Sequence, residues 1–90
     1  MLDIRYSTKF KKDYKTIMKR RYNPKLLETV LNLLCTKQAL PPKYRDHPLS
    51  GNYEGHRECH ITPDWLLIYK IEQNILTLTL TRTGTHSDLF

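Results

Sequence analysis

Cysteine is scarce in this chain. Two residues, Cys35 and Cys59, are too few for a disulfide framework and read as reduced thiols. Neither belongs to a CxxC pair and no HExxH occurs, so the usual marks of a zinc site are missing. The expectation is no metal and no cofactor. Long apolar runs are absent as well. Nothing approaches the roughly 20 residues of a membrane span, and the start, Met1–Tyr6, lacks the apolar stretch of a signal peptide. These absences predict a cytoplasmic chain with no membrane partner. Negative charge is in short supply: 9 acidic against 15 basic residues give a formal net charge of +6 and a pI near 9.5. Such a surplus favours a polyanionic partner, whether nucleic acid, an anionic surface or an acidic protein.

What is present is ordinary for a soluble globular protein, with 39% hydrophobic and 27% charged residues. Ninety residues make a single domain, 1–90, whose core is one pair of layers. A chain of this size buries only roughly 60% of its unfolded surface. No internal repeat, low-complexity segment or second domain is visible.

Periodicity orders the elements. Leu2–Tyr6 alternates apolar and polar residues, a short strand. Ser7 or Thr8 can cap a helix in which Phe10, Tyr14, Ile17, Met18 and Arg21 share one face. Lys9, Lys12, Lys15, Lys19 and Arg20 occupy the other, with Lys11 alongside: either a solvated face or one turned to RNA or the ribosome. Tyr22-Asn23-Pro24 ends that helix and starts the next, Asn23 as cap and Pro24 at its first position. Leu27, Val30, Leu31 and Leu34 then form a core stripe, so the two helices make a hairpin lying on a sheet. Residues 38–55 read as a long irregular loop, broken by prolines 41, 42 and 48. Arg57–Ile61 and Trp65–Ile71 are two strands of a hairpin turned at Thr62-Pro63-Asp64, the second strand apolar throughout its middle. A turn at Glu72-Gln73-Asn74 leads to a last strand, where Leu76, Leu78 and Leu80 alternate with threonines. Arg82 falls in register with those leucines. The tail, residues 83–90, is polar until its closing Leu89-Phe90. The order is β-α-α-β-β-β, an α+β domain with a helical hairpin packed on a mostly antiparallel sheet.

Four polar clusters remain once the core is assigned: Arg45-Asp46-His47, Glu58 with His60, Asp64, and Arg82 with His86. Each has a plain structural explanation. His47 before Pro48 can be a turn residue, His60 a satisfied strand histidine, and Asp64 a turn former. Together they suit RNA cleavage without metal, in which the ribose 2′-hydroxyl attacks the adjacent phosphate. That reaction needs a base, an acid for the leaving oxygen and a cation on the phosphorane. Histidine titrates near neutrality and arginine's planar fork fits a phosphate.

At these residues the sequence resembles a known family, the YafQ branch of the RelE/ParE toxin superfamily, messenger-RNA interferases of bacterial toxin–antitoxin pairs. The matching segments are Tyr44-Arg45-Asp46-His47-Pro48-Leu49, Gly51 through Gly55 to Arg57, and His60-Ile61-Thr62-Pro63-Asp64-Trp65-Leu66-Leu67-Ile68-Tyr69-Lys70. Arg82-Thr83-Gly84-Thr85-His86-Ser87-Asp88-Leu89-Phe90 completes the set, so nearly all of the C-terminal half is covered. The resemblance implies a RelE-like, microbial-RNase-like fold and a ribosome-dependent endoribonuclease held inactive by a cognate antitoxin. mRNA and the ribosome would be its other partners, with operator DNA met only through the antitoxin. Carried over by position, His47, His60, Asp64, Arg82, His86 and Phe90 would line the active site, with Trp65 beside it. In that scheme Asp64 or His60 is the base, Glu58 a further candidate, and His86 the acid. Arg82 and His47 hold the phosphate, Phe90 stacks a nucleobase, and Lys43 and Arg45 join Glu58 and Trp65 on the substrate side. Two rivals predict otherwise: a ParE-like gyrase-inhibiting toxin on the same fold, and a non-enzymatic basic nucleic-acid-binding module. Neither accounts for histidines, Asp64 and Arg82 gathered at strand ends.

Overall fold

The apolar stripes of two helices and one face of a sheet close on each other in a computed structural model that describes all residues, Met1–Phe90. Strand β1 (Asp3–Tyr6) leads into helix α1 (Thr8–Lys19), and α2 (Pro24–Cys35) follows after a short turn. Ser7 caps α1, its hydroxyl accepting the Phe10 N–H at 2.9 Å. Asn23 caps α2 by accepting the Lys25 N–H at 3.0 Å, and Pro24 takes the first helical position. Arg21, at φ 62°, sits in the left-handed region that separates the two helices. Phe10 and Ile17 of α1, and Leu27, Val30, Leu34 and Cys35 of α2, are buried.

Four further strands complete the sheet: β2 (His47–Pro48), β3 (Arg57–Thr62), β4 (Trp65–Glu72) and β5 (Thr77–Gly84). Their order is β1-β5-β4-β3-β2, with β1 parallel to β5 and the other pairings antiparallel. The helical hairpin and mostly antiparallel sheet are thus as expected. The parallel pairing follows from the helical hairpin, which returns the chain to the far edge of the sheet. One face of β3, β4 and β5, carrying Cys59, Leu67, Tyr69, Leu78 and Leu80, packs on α1 and α2 to form the main core. The opposite face has only a small apolar cluster, Leu66, Ile68 and Leu89, flanked by Leu49 and Tyr53.

Four expectations need correction. Residues 38–55 are not wholly irregular. They hold single 3₁₀ turns at Pro42–Tyr44 and Gly51–Tyr53, with β2 between them on the sheet edge. Proline is tolerated there because its missing N–H would face away from β3. The tail is not merely polar either, since His86–Leu89 forms a one-turn helix, α3. Most consequential is a bulge in β5. Tyr69 pairs with Leu80 but Ile68 pairs with Arg82, leaving Thr81 as an extra residue. The bulge carries Arg82 to the face of Ile68, away from Leu78 and Leu80, and sends Thr83 into the core instead. Leu76, expected on the core face, precedes the strand at φ 49° and is half exposed. A second register shift lies between His60 and Thr62, beside Ile61, which shares the core face with Cys59.

Candidate active site

Partners across antiparallel strands share a face, so the pairings His47–Glu58, Glu58–Ile68, His60–Leu66 and Ile68–Arg82 gather the polar residues on the side opposite α1 and α2. At its centre is Glu58, only 5% exposed. One carboxylate oxygen, Oε1, lies 3.5 Å from His47 Nε2 and 3.6 Å from His60 Nε2. The two imidazole rings are 6.5 Å apart. His47 Nδ1 lies 2.7 Å from the Arg45 carbonyl, which can only accept, so Nδ1 carries a proton and Nε2 is turned to Glu58. Glu58 Oε1 is thus placed to accept from an Nε2–H of either ring. Asp46, next in the chain to His47, faces the other way. Arg57 donates to it at 3.1 to 3.3 Å and the Tyr69 hydroxyl donates to it as well, which pins the loop before β2.

Arg82 is held from behind by α1. Its Nε and Nη2 donate to Asp13 at 2.6 and 3.1 Å, and the Thr83 N–H donates to the same carboxylate at 3.2 Å. The Asp13 hydrogen bonds, then the Tyr53 hydroxyl, raise the Arg82 pKa against the opposing effect of burial. Beyond Arg82, α3 presents His86 and Phe90, whose rings are 5.1 Å apart. Phe90 is 59% exposed and meets Tyr53 edge-on at 6.1 Å. Leu89 is the anchor, buried on Leu66 and Ile68. Asp88 closes α3 with a capping box, accepting the Thr85 N–H at 2.8 Å, and takes Arg20, just past the end of α1, at 2.6 and 3.0 Å. Arg20 first, and the Thr85 N–H second, hold the Asp88 carboxyl well below its usual range. Gly84 leaves room for this: a Cβ there would stand 2.9 Å from the Asp88 side chain.

The structure brings His47, Glu58, His60 and Arg82 to one face, with His86 and Phe90 at its end. It does not do so for every expected residue. Trp65 is wholly buried on the helix side, its Nε1–H donating to the Thr83 hydroxyl at 2.7 Å and its ring edge-on to Tyr22. Its side chain is packed in the core, and the residue also borders the depression beside Asp64. Asp64 is exposed in the β3–β4 turn and borders a shallow depression with Tyr22, Asn23 and Leu26 rather than joining the His47–Glu58–His60 contact. Lys43 lies over the Tyr44 ring at 5.1 Å and borders a depression that includes His60. Arg45 is exposed at φ 48°, lending its carbonyl to His47. Arg20, expected on the free basic face, is instead engaged by Asp88. Sequence reasoning missed Asp13, Tyr53 and Asp88. Of these only Asp88 had a local signal, the capping-box spacing Thr85-x-x-Asp88.

A mixed five-stranded sheet with a helical hairpin on one side and an imidazole–carboxylate–guanidinium face on the other is an α+β architecture of the RelE-like kind. Comparison with known proteins narrows the class. The profile of the family "Bacterial toxin of type II toxin-antitoxin system, YafQ" matches residues 2–90, and the chain belongs to that family. The mRNA interferase toxin YafQ of Escherichia coli K12 is 43% identical over 89 residues, covering 98% of this chain and 95% of that one. A metal-bound toxin from Helicobacter pylori superposes with a TM-score of 0.94 at 50% identity, both chains fully covered. The toxin of the E. coli DinJ–YafQ complex does so at 0.89 and 42%, covering 100% of this chain and 99% of that one. The metal is that of the H. pylori protein; in this chain His47 and His60 converge on Glu58 Oε1, but the three are not arranged as a metal site. The Cys59 thiol, pushed up to about 12 chiefly by burial, is a poor ligand.

Proposed function

We propose that the face formed by β2, β3, β5 and α3 cleaves mRNA on the ribosome by moving protons, with the ribose 2′-hydroxyl as nucleophile. The chain is a toxin of a type II toxin–antitoxin system and an endoribonuclease, the activity carried by its E. coli relatives. The observation that supports the mechanism is the Glu58 carboxylate lodged between two imidazoles on the face that also carries Arg82. His60, backed by Glu58, takes the 2′-hydroxyl proton. This geometry favours His60 over Asp64, which stands apart in the turn. His86 on α3 protonates the leaving 5′-oxygen. Arg82 and His47 flank the phosphate, where fixed positive charge meets the developing phosphorane charge. Phe90, exposed at the end of α3, stacks a nucleobase, a contact worth about 1–3 kcal/mol. Lys43 and Arg45 add positive charge at the rim. The cognate antitoxin acts by covering this face in the cytoplasm, where ribosomes are.

The test replaces the ribose 5′ of the scissile phosphate by deoxyribose. Cleavage of the ribose substrate should leave a 2′,3′-cyclic phosphate or the 3′-phosphate derived from it, and the deoxy substrate should bind but stay whole. Products ending in a 3′-hydroxyl, or cleavage of the deoxy substrate, would end this mechanism.

A further inference from the structure

Asp13 is the only acidic residue of α1, set among Lys9, Lys11, Lys12, Lys15 and Lys19. It does not form a surface pair with those lysines. Its carboxylate is turned inward, its side chain 16% exposed, and it accepts the Arg82 Nε–H and Nη2–H and the Thr83 N–H together. We propose that Asp13 is a positioning residue for RNA cleavage, holding Arg82 at the place and angle from which it meets the scissile phosphate. The inference rests on the acid–base assignment of the face.

Two features carry it. A guanidinium has five N–H groups in a fixed plane. Asp13 engages the Nε–Nη2 edge and leaves the Nη1–Nη2 edge for a second, bidentate partner, the geometry a phosphate takes. A long arginine chain that would otherwise sample many rotamers is thereby presented in one. The second feature is the bulge. Arg82 reaches the open face only because Thr81 is inserted into β5, and the Thr81 hydroxyl is buried with no partner. The Thr83 N–H, just past that irregular step, would be free on the strand's outer side, because β1 ends opposite Leu80. Asp13 takes it. One carboxylate thus fixes both the backbone that aims Arg82 and the side chain itself.

The experiment is a double-mutant cycle on the full chain, with single-turnover cleavage of ribosome-bound mRNA as readout. Binding of the uncleavable 2′-deoxy substrate and the melting temperature are followed in parallel. D13N is used because its amide oxygen can still accept the Thr83 N–H while the charge that orients Arg82 is lost. The expected result is a cleavage rate lowered about 10- to 100-fold, the cost of a misplaced group. Substrate binding should change far less and the pH profile should keep its shape. In the R82A background, D13N should add nothing. The inference is overturned if R82A is inactive while D13N cleaves at the wild-type rate, or if the two losses multiply. It is also overturned if the D13N loss disappears when rates are corrected for folded fraction. If R82A itself cleaves at the wild-type rate, the assignment of the face fails, and the positioning role with it.

Discussion

Glu58 and Trp65 both belong to the central hairpin, yet one lies on the open face and the other in the core. Glu58 is buried with its carboxylate between His47 and His60. Replacing His60 or His86 by alanine should lower cleavage by about 10²–10⁴-fold each, as for loss of an acid–base partner. The exposed His86 should be lost without disturbing melting, whereas His60, whose side chain is only 20% exposed against Glu58, is compared per folded molecule. Wild-type growth arrest by both variants at equal expression would remove them from the mechanism. Trp65→Phe should behave oppositely. It loses the bond to Thr83 in a dry site and should destabilise the fold by about 1–3 kcal/mol, while cleavage per folded molecule is unchanged. A cleavage defect without a drop in melting temperature would return Trp65 to the substrate side. At this scale the sequence names residue types well and their directions poorly. The histidines and Arg82 were legible because titratable groups stand out in an apolar hairpin. The core packing of Trp65 was not legible, because its position beside Asp64 says nothing about which face it takes. Asp13 was invisible because a lone acid in a lysine-rich helix has no local reason to turn inward.

The elements that periodicity governs were legible: α1, α2, their caps and the β3–β4 hairpin all follow from residues close in sequence. Those set by distant contacts were not. β2 exists only because β3 pairs with it, the Thr81 bulge only because β4 and β5 must match, and α3 only because Leu89 finds Leu66 and Ile68. α3 also divides the closing Leu89-Phe90, which looked like a functional pair. Leu89→Ala should cost about 2–4 kcal/mol of stability, since the side chain is almost wholly buried. Phe90→Ala should leave melting unchanged and weaken cleavage. Equal melting losses in the two variants would make Phe90 a core residue too. The Arg20–Asp88 pair adds a pH dependence to the same element. Asp88 is held below the ordinary carboxylate range, so its contribution is present above the unfolded value near ~4 and is lost as pH falls below it. Lowering pH from 5 toward 2 should therefore loosen α3 in the wild type. Asp88→Asn should flatten that dependence, read by the fluorescence of a probe at Phe90 or by hydrogen exchange of the α3 amides. An unchanged acid response in the variant would assign it to other carboxylates.

The whole molecule carries a formal net charge of +6, and the structure shows where that charge is free to act. Arg82, Arg57 and Arg20 are each engaged by an aspartate, at 2.6, 3.1 and 2.6 Å. Lys9, Lys11, Lys12, Lys15 and Lys19 of α1 remain exposed and are paired with no carboxylate. One flank of the molecule is therefore a lysine field on a helix whose inner side holds Arg82 through Asp13. A partner with acidic segments, as the cognate antitoxin of such a toxin is expected to have, would be drawn to that flank before it docks. Long-range attraction of this kind acts on encounter rather than on residence, and it is screened within about 10 Å at 0.1 M salt. The antitoxin's association rate should fall steeply between low and physiological salt while its dissociation rate moves little. Changing Lys11, Lys12 and Lys15 together to glutamine should lower the low-salt association rate and shallow its salt dependence, again with dissociation nearly unchanged. Asp13 is left intact in that variant, so cleavage of a saturating substrate should persist. Stopped-flow association measured across salt concentration reads both quantities. A wild-type association rate that ignores salt would leave the lysine flank as a solvated surface with no part in capture.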